Sequence, residues 1–274
     1  MFALVLVPAV RIAYHFAAGE YGHLPIALGN LTYWSGVWAT VVLLMALAVT
    51  PALTILRWGA LIDVRRMIGV AALAYTIAHV VIYFAFRSWN FALIVSDAVT
   101  RLTLFVAWLS TIGLIVLGAT SLDAAIARLG VKNWQRLHNA NYVITALAIL
   151  HVVLARGTCA EQYLLAGLFF WLMSWRALDR YGYGADVRAL AMLAVTSCLF
   201  TALLEAGFVW GRRGHGLSWT LGNNFNLAML EVGVPAPWQV LIFGLVFMLA
   251  AVGREVALGL ARRRSERRQA TYPA

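Results

Sequence analysis

The chain has 274 residues, of which 63% are hydrophobic and only 12% are charged. A soluble globular domain has about 45–50% apolar and about 25% charged residues, so this composition argues against a water-soluble domain, and it excludes a disordered chain. The formal net charge of +10, from 21 Lys and Arg against 11 Asp and Glu, has to be tested first as loop charge on one side of a membrane. The mean hydropathy of +0.82 predicts a polytopic membrane protein. Two cysteines predict neither a disulfide scaffold nor a zinc site.

Eight stretches are apolar enough to be predicted as spanning helices, because a helix needs about 20 apolar residues to cross a bilayer. In chain order they are Met1–Ala18, Leu31–Leu56, Met67–Phe86, Leu102–Ala119, Leu137–Ala155, Tyr163–Trp175, Ala189–Trp210 and Val232–Gly253. The sixth stretch is short, and the seventh contains one acid, Glu205, which we interpret as a proton carrier, as the partner of an arginine, or as a carboxyl that stays protonated. The sequence therefore predicts an all-α bundle of about eight transmembrane helices.

The basic residues predict the orientation of this bundle. With the N-terminus inside, the inner loops 57–66, 120–136 and 176–188 and the tail from Arg254 hold fifteen of the 21 basic residues, and the outer loops hold five. Because cytoplasmic loops are enriched in Lys and Arg, both termini are predicted to be cytoplasmic. We interpret the basic tail as an anchor on anionic membrane lipid and not as a nucleic-acid site.

Three of the six histidines, His79, His138 and His151, lie in or at the end of strongly apolar spans. An ionisable residue inside a membrane is a functional-site hypothesis by default. His79 precedes Arg87 by eight residues and His151 precedes Arg156 by five, so they lie about 12 Å and about 7.5 Å from the outer ends of their helices. Both helices run outward, so the two imidazoles are predicted at comparable depth in the outer half of the membrane.

Two neutral imidazoles from facing helices are the usual axial ligands of a low-spin b-type heme. We therefore predict that His79 and His151 bind the iron of heme b. The alternative is a pair of structural histidines hydrogen-bonded to carbonyls or hydroxyls, in a transporter or membrane scaffold without heme. For that class the best feature is the polar stretch around Asn223–Asn226, within an outer segment, Trp210–Pro237, that the sequence leaves open between a loop and a short interfacial helix.

His138 lies thirteen residues before His151 on the same predicted helix, about 20 Å away along the axis and about 140° around it. This position is near the cytoplasmic face, where the sequence offers no second histidine. As a third metal ligand, His138 would need a non-histidine partner ligand, a five-coordinate iron or a partner protein. Alternatively, together with Arg65, Arg66 and Arg136, it borders a quinone or flavin site.

An ordered series of short motifs covers roughly residues 3–178. The motifs are Gly22 to Pro25, Thr50-Pro51, Arg65-Arg66-Met67-Ile68-Gly69, Tyr75-Thr76-Ile77-Ala78-His79 with Tyr83, Ala119-Thr120-Ser121, Leu129-Gly130, Trp134-Gln135-Arg136-Leu137-His138-Asn139 with Tyr142, and His151. In this combination the chain resembles the heme-binding membrane subunit of the bacterial periplasmic methionine-sulfoxide reductase system, the MsrQ or YedZ family of the ferric-reductase-like transmembrane group.

The resemblance implies a bacterial inner-membrane protein that binds b-type heme and often flavin, such as FMN. Such proteins carry electrons to a periplasmic, molybdenum-containing reductase that repairs oxidised methionine. Their electrons come from the quinone pool or from a cytosolic flavin reductase. His79 and His151 map to the outer heme pair of the family and His138 to its third histidine. The chain is therefore expected to be an electron-transfer subunit, and no catalytic residue is predicted in it.

Three departures from the family pattern suggest a divergent member. The basic residue before the fourth helix, Arg101, is not followed by proline, and the segment Gly130–Trp134 is one residue longer. About 90 residues with two more spans follow Arg180. We therefore predict a heme-binding domain of six spans over residues 1–180 and an extension over residues 181–274. The runner-up function is a ferric or quinone-linked reductase of the same superfamily.

Two groups of arginines have both a functional and a topological interpretation. A basic cytoplasmic face would dock an electron donor or a flavin phosphate, and outer arginines would pair with heme propionates. Equally, both groups follow from loop charge alone. The inner group comprises Arg57, Arg65, Arg66, Lys132 and Arg136, and the outer group Arg87, Arg101 and Arg156.

Overall fold

The computed structural model describes residues 2–155, 160–214, 216–226, 228, 231 and 233–271, without the side chains of residues 2–4, 62, 63, 213 and 261–271. This part of the chain is all helical, with no strand. Its helices are α1 Phe2–Ala17, α2 Ile26–Leu56, α3 Leu61–Phe86, α4 Phe91–Thr100, α5 Leu102–Ala119, α6 Asp123–Leu129, α7 Val131–His138, α8 Asn141–Ala155, α9 Ala160–Arg180, α10 Val187–Arg213, α11 Leu217–Phe225 and α12 Ala236–Thr271. The predicted all-α class is confirmed.

Six stretches among the described residues are long and apolar enough to cross a membrane. They are Ile26–Leu56, Val64–Phe86, Leu102–Ala119, Val131–Ala155, Val187–Arg212 and Ala236–Leu260. Each overlaps one of the eight predicted spans, so the polytopic bundle is confirmed. The other two predicted spans correspond to α1, which has 16 residues, and α9, which carries charges near both of its ends. Whether α1 and α9 cross the membrane stays a prediction, as does the cytoplasmic position of both termini.

The first of two compact units consists of Met1–Val49 and Ile62–Leu165. Its most extensive helix pair is α5 and α8. A side chain at Gly113 of α5 would place its Cβ 2.8 Å from Ile144 of α8, so the glycine permits the close approach. Beside it, the hydroxyl of Ser110 donates a hydrogen bond of 3.0 Å to the carbonyl of Ile144. This pair fixes the register of α5 against α8.

A side chain from α3 completes the backbone hydrogen bonding of α1. Pro8 interrupts α1, and the Ala9 N–H donates 3.0 Å to the hydroxyl of Tyr75, which in turn donates 2.7 Å to the Val5 carbonyl. A proline disturbs the helix bonds around the preceding turn. The Tyr75 hydroxyl therefore bridges a donor and an acceptor four residues apart, which would bond directly in an unbroken helix.

The loop predicted between the third and fourth spans contains the short helix α4. Arg101 both ends α4 and begins α5, with φ −106° and ψ 111°. Asp97 of α4 is buried and ion-paired on both sides, with the guanidinium of Arg87 and, at 3.0 Å, with Nε of Arg101. One carboxylate thus ties together the end of α3 and the junction of α4 with α5.

The second compact unit consists of Thr50–Leu61 and Ala166–Ala274. Trp171 and Trp175 of α9 are completely buried, and Trp171 contacts the rings of Phe243 and Phe247 of α12 at centroid distances of 5.1 and 4.9 Å. A Cβ at Gly244 would lie 2.6 Å from Ala194, so α12 packs closely on α10. Aromatic packing and small residues hold this unit together.

The outer stretch that the sequence left undecided contains the short helix α11. Asn224 of α11 is buried and donates 3.0 Å to the carboxyl of Glu205 on α10, and its backbone carbonyl accepts 2.9 Å from the indole of Trp238. The structure thus gives Glu205 an amide partner, and an arginine partner stays a prediction. The described helix α12 runs on to Thr271, so the basic tail continues a helix.

Candidate cofactor site

A cavity of about 360 Å³ lies in the first unit among α2, α3, α5 and α8. It extends from Gly29 and Phe86 at one end to Leu43 and Leu114 at the other, and most of its wall is apolar. Its volume falls in the range of about 300–1,000 Å³ that is usual for small-molecule and cofactor sites. His79 and His151 both line it, so the structure brings these two predicted ligands to one cavity.

His79 of α3 is held from α2 by a serine and a glycine. Nδ1 of His79 lies 3.1 Å from the hydroxyl of Ser35, which donates 3.0 Å to the backbone carbonyl of Thr32. A hydroxyl carries one proton, so the Ser35 oxygen accepts the hydrogen bond from Nδ1–H. At the next residue, Gly36, a Cβ would lie 2.9 Å from Cε1 of the imidazole. Serine and glycine thus fix both the tautomer and the position of the ring.

His151 of α8 is held by α5 through a backbone atom. Its Nδ1 lies 3.0 Å from the carbonyl oxygen of Thr103, in the first turn of α5. A carbonyl only accepts, so Nδ1 of His151 carries the proton. Thr103 follows Arg101 by two residues, so the junction of α4 with α5 also positions the group that orients this histidine.

The two imidazoles therefore have the same hydrogen-bonding arrangement. In each, Nδ1–H is bonded to protein, which leaves Nε2 as the nitrogen with a lone pair to offer. Metal-ligating histidines usually donate their other ring N–H to a protein acceptor in this manner. Among the described residues no group of three or more His, Cys, Asp and Glu could hold a bare metal ion. The arrangement suits a metal whose remaining ligands come from a macrocycle.

The rim of the cavity carries polar groups. The hydroxyl of Tyr33, which lines the cavity, donates 2.9 Å to the carboxyl of Glu161 at the start of α9. Arg87 directly follows Phe86, another lining residue, and is paired with Asp97. Of the outer arginines that we considered for propionates, Arg87 and Arg101 both share Asp97, and Arg156 lies outside the described residues.

His138 does not line this cavity. Its Nε2 lies 3.3 Å from the hydroxyl of Thr120, and its ring packs on Trp134 at a centroid distance of 4.1 Å. It is the last residue of α7, and a turn at residues 139 and 140 separates it from α8. His138 and His151 thus belong to one candidate span, Val131–Ala155, but the turn divides it into two helices, so the angle calculated for an ideal helix does not apply.

The predicted inner arginines are likewise remote from the cavity wall. Arg66 makes an ion pair of 2.8 Å with Asp123 at the start of α6, and both side chains are exposed. Arg65 lies within electrostatic range of His138. Arg136 is exposed on α7, two residues before His138. The structure thus keeps Arg65 near His138 and separates this group from His79 and His151.

Sequence reasoning missed Ser35, Gly36 and Thr103. The available signal for the first two was a Ser-Gly pair within an otherwise apolar span, which by itself does not name a partner. No sequence signal identifies Thr103, because the atom that matters is a carbonyl oxygen, which every residue has.

Comparison with known proteins identifies relatives over about two thirds of the chain. The family model for the ferric reductase like transmembrane component matches residues 35–149, a range that includes Ser35 and His79 and ends two residues before His151. The protein-methionine-sulfoxide reductase heme-binding subunit MsrQ of Azospira oryzae is 31% identical over 183 residues, which are 66% of this chain and 78% of the relative. That of Herminiimonas arsenicoxydans is 35% identical over 152 residues, 55% of this chain and 69% of the relative.

A second kind of relative is the magnetosome protein MamZ of Magnetospirillum gryphiswaldense, which is 33% identical over 178 residues. These are 64% of this chain but only 27% of that protein, so the matched region recurs inside a much longer chain. No solved structure matches. With six candidate spans in the part of the chain that the structure describes, and with these relatives, the chain is a multi-pass protein of the bacterial inner membrane. It belongs to the MsrQ family within the ferric-reductase-like transmembrane group.

Proposed function

We propose that this chain binds a b-type heme in the cavity among α2, α3, α5 and α8 and acts as a transmembrane electron-transfer subunit. The observation that carries the proposal is that His79 and His151 line one apolar cavity with Nδ1–H bonded to protein in both. The relatives are named heme-binding subunits, which supports the same cofactor for this chain.

The residues of the cavity fit that group. The two neutral imidazoles, each with an available Nε2 atom, would hold the iron of a heme whose macrocycle supplies the remaining ligands. A bound heme would supply one-electron oxidation and reduction. The apolar wall excludes water, and the hydrogen bonds at Nδ1 raise the basicity of the ligands. The chain would thereby set the potential at which electrons pass.

The arginines at the rim remain candidates for the carboxylates of the macrocycle. Two guanidinium groups, Arg87 and Arg101, share the single carboxylate of Asp97, so the cluster keeps one net positive charge. A partly exposed positive cluster next to a cavity favours a carboxylate there. Arg87 is the better candidate, because it directly follows Phe86 of the cavity wall.

The group around His138 is the proposed entry point for electrons. Arg65, Arg66 and Arg136 would attract a flavin phosphate, such as that of FMN, or a quinone head group, and Trp134 offers an aromatic face next to His138. Because Nε2 of His138 is bonded to Thr120, this site is favoured over a second heme ligated there. The donor is then the quinone pool or a cytosolic flavin reductase, on the predicted cytoplasmic side.

The proposed acceptor is a periplasmic reductase of the methionine-sulfoxide type, which in this family would contain molybdenum. The name of the MsrQ relatives supports this role. A ferric or quinone-linked reductase is the second candidate, and the match to the ferric reductase like family model favours it. The residues beyond 180 would serve the specific partner of this chain.

The test is an absorbance spectrum of the purified protein, oxidised and dithionite-reduced. We expect the paired bands of a low-spin b-type heme, and we expect His79→Ala and His151→Ala each to abolish them, because each removes one axial ligand. His15→Ala is the matched control. His15 lies on α1, its Nδ1 is 2.5 Å from the carboxylate of Glu20, and it does not line the cavity. If the spectrum of the wild-type protein showed no heme bands, the proposal would be wrong, and the transporter would become the favoured function.

A further inference from the structure

We propose that Ser35 and Gly36 of α2 are positioning residues that set the orientation and basicity of the His79 imidazole, and through it the reduction potential of the bound iron. This inference rests on the proposed function and goes beyond it, because neither residue is itself a ligand. Ser35 acts through a hydrogen bond and Gly36 acts by leaving space.

The first argument is the directed hydrogen bond. Ser35 is only 3% exposed, its proton points to the Thr32 carbonyl at 3.0 Å, and its oxygen faces Nδ1 of His79 at 3.1 Å. The serine oxygen therefore acts as an acceptor beside the Thr32 backbone, and together they favour the proton of His79 on Nδ1. An acceptor at Nδ1 makes the imidazole a stronger donor to iron, which stabilises the ferric state over the ferrous state.

The second argument is steric. A Cβ at position 36 would lie 2.9 Å from Cε1, 3.2 Å from Nδ1 and 3.4 Å from Nε2 of His79. Real Cβ atoms essentially never approach a carbon atom within 3.0 Å, so any side chain at position 36 has to move the ring. The whole edge of the imidazole lies against α2 at this glycine. Because glycine has no side chain, the imidazole of His79 can lie directly against α2, and this contact determines the orientation of the ring plane.

His79 and His151 differ in whether a hydrogen-bond acceptor at Nδ1 can be removed by a single substitution. The acceptor for His151 is the backbone carbonyl of Thr103, which no single substitution removes. His79 also has a backbone partner, Thr32, but in addition it faces the hydroxyl of Ser35, a side chain that a single substitution changes. Ser35 is therefore a position at which the surroundings of His79 can be adjusted without replacing a ligand.

The experiment measures three properties of wild type, Ser35→Ala, Ser35→Thr and Gly36→Ala in purified protein: heme occupancy, midpoint potential by redox titration and the electron paramagnetic resonance spectrum of the ferric state. Ser35→Ala should shift the potential to more positive values and weaken heme retention by about 10- to 100-fold, the usual effect of removing a second hydrogen-bonded partner of a ligand. Ser35→Thr keeps the hydroxyl and should restore the wild-type potential. Gly36→Ala should change the g values, because they respond to the relative orientation of the imidazole planes.

The chain offers matched controls for both substitutions. Ser197→Ala removes the hydroxyl of a completely buried serine on α10, which does not line the cavity. Gly207→Ala adds a methyl group to α10 at a position outside the cavity where no other atom lies within 4 Å. Both controls should keep the wild-type potential and g values.

The outcomes separate this inference from the proposed function. A wild-type protein without heme overturns both. A wild-type protein with low-spin heme, and variants at positions 35 and 36 whose occupancy, potential and g values equal those of the controls, overturns the positioning role alone. A shift confined to Ser35→Ala and Gly36→Ala, with rescue by Ser35→Thr, establishes it.

Discussion

The three membrane histidines differ in which ring nitrogen the protein engages. His79 and His151 are bonded at Nδ1, to Ser35 and to the Thr103 carbonyl, whereas His138 is bonded at Nε2, to Thr120. The hydroxyl of Thr120 donates to backbone carbonyls of α5, so it accepts from His138. In His138 the proton is therefore on Nε2, whereas in His79 and His151 it is on Nδ1. Its role is therefore expected to differ from theirs.

We predict that His138→Ala keeps the low-spin heme signal and slows the reduction of the heme by a quinol or by reduced FMN. The physical reason is that His138 lies outside the cavity and against Trp134, next to the arginines of the proposed donor site. Stopped-flow absorbance at the reduced heme band measures the rate. Gln135→Ala, an exposed neighbour on α7, should leave the rate unchanged.

This prediction has a clear contrary outcome. If His138→Ala removed half of the heme absorbance, the histidine would be a ligand of a second heme. The hydrogen bond from Nε2 to Thr120 would then not describe the working state of this residue.

The candidate ligands were predictable, but the residues that orient them were not. Polar side chains are rare in apolar spans, so His79 and His151 stood out, and their comparable depth predicted that they lie together. Ser35 is a common kind of residue in a membrane helix, and its partner lies 44 positions away on another helix. Such contacts between helices depend on how the helices pack, so they cannot be predicted from a single sequence.

At the scale of helices, α1 depends on α3 for its backbone bonding. We predict that Tyr75→Phe lowers stability by about 1–3 kcal/mol, because it leaves the Ala9 N–H and the Val5 carbonyl without the hydroxyl that bridges them. Thermal unfolding in detergent measures the change. Tyr14→Phe is the matched control, because Tyr14 lies on α1 with 66% of its surface exposed. Equal melting temperatures for the two variants would contradict the bridging role.

The long apolar helices were predictable and the short ones were not. Twenty apolar residues in a row specify a spanning helix almost regardless of neighbours. The helices α4, α6, α7 and α11 have seven to ten residues, too few to be stable alone, and therefore depend on tertiary contacts. Asp97 is an example: its pairs with Arg87 and Arg101 hold α4 at a junction where the sequence pattern lacks the expected proline.

At the scale of the whole molecule, the orientation in the membrane is still a prediction. The two cysteines offer a direct test, since Cys159 belongs to a predicted outer loop and Cys198 is buried within α10. We predict that a membrane-impermeant maleimide labels the protein from the periplasmic side in spheroplasts, because only the thiol of Cys159 would be in water there. Mass spectrometry counts the labels and locates them.

Two variants make this labelling decisive. Cys159→Ser should abolish it, and Cys198→Ser should leave it unchanged. If the protein were labelled only from the cytoplasmic side, in inverted vesicles, the predicted orientation would be wrong, and the sides assigned to donor and acceptor would be exchanged.

The division of function at residue 180 also stays a prediction, since compactness alone does not separate a heme domain from a partner-specific extension.

The hydroxyl of Tyr75 in the backbone ladder of α1 has a consequence for biosynthesis. Ala9 leaves the ribosome 66 residues before the side chain that accepts its hydrogen bond. In hydrocarbon no water can replace that acceptor. If α1 spans the membrane as predicted, its Ala9 N–H therefore gains the Tyr75 acceptor only when α3 has entered the bilayer, and a ribosome that stalls between the two leaves that N–H without it.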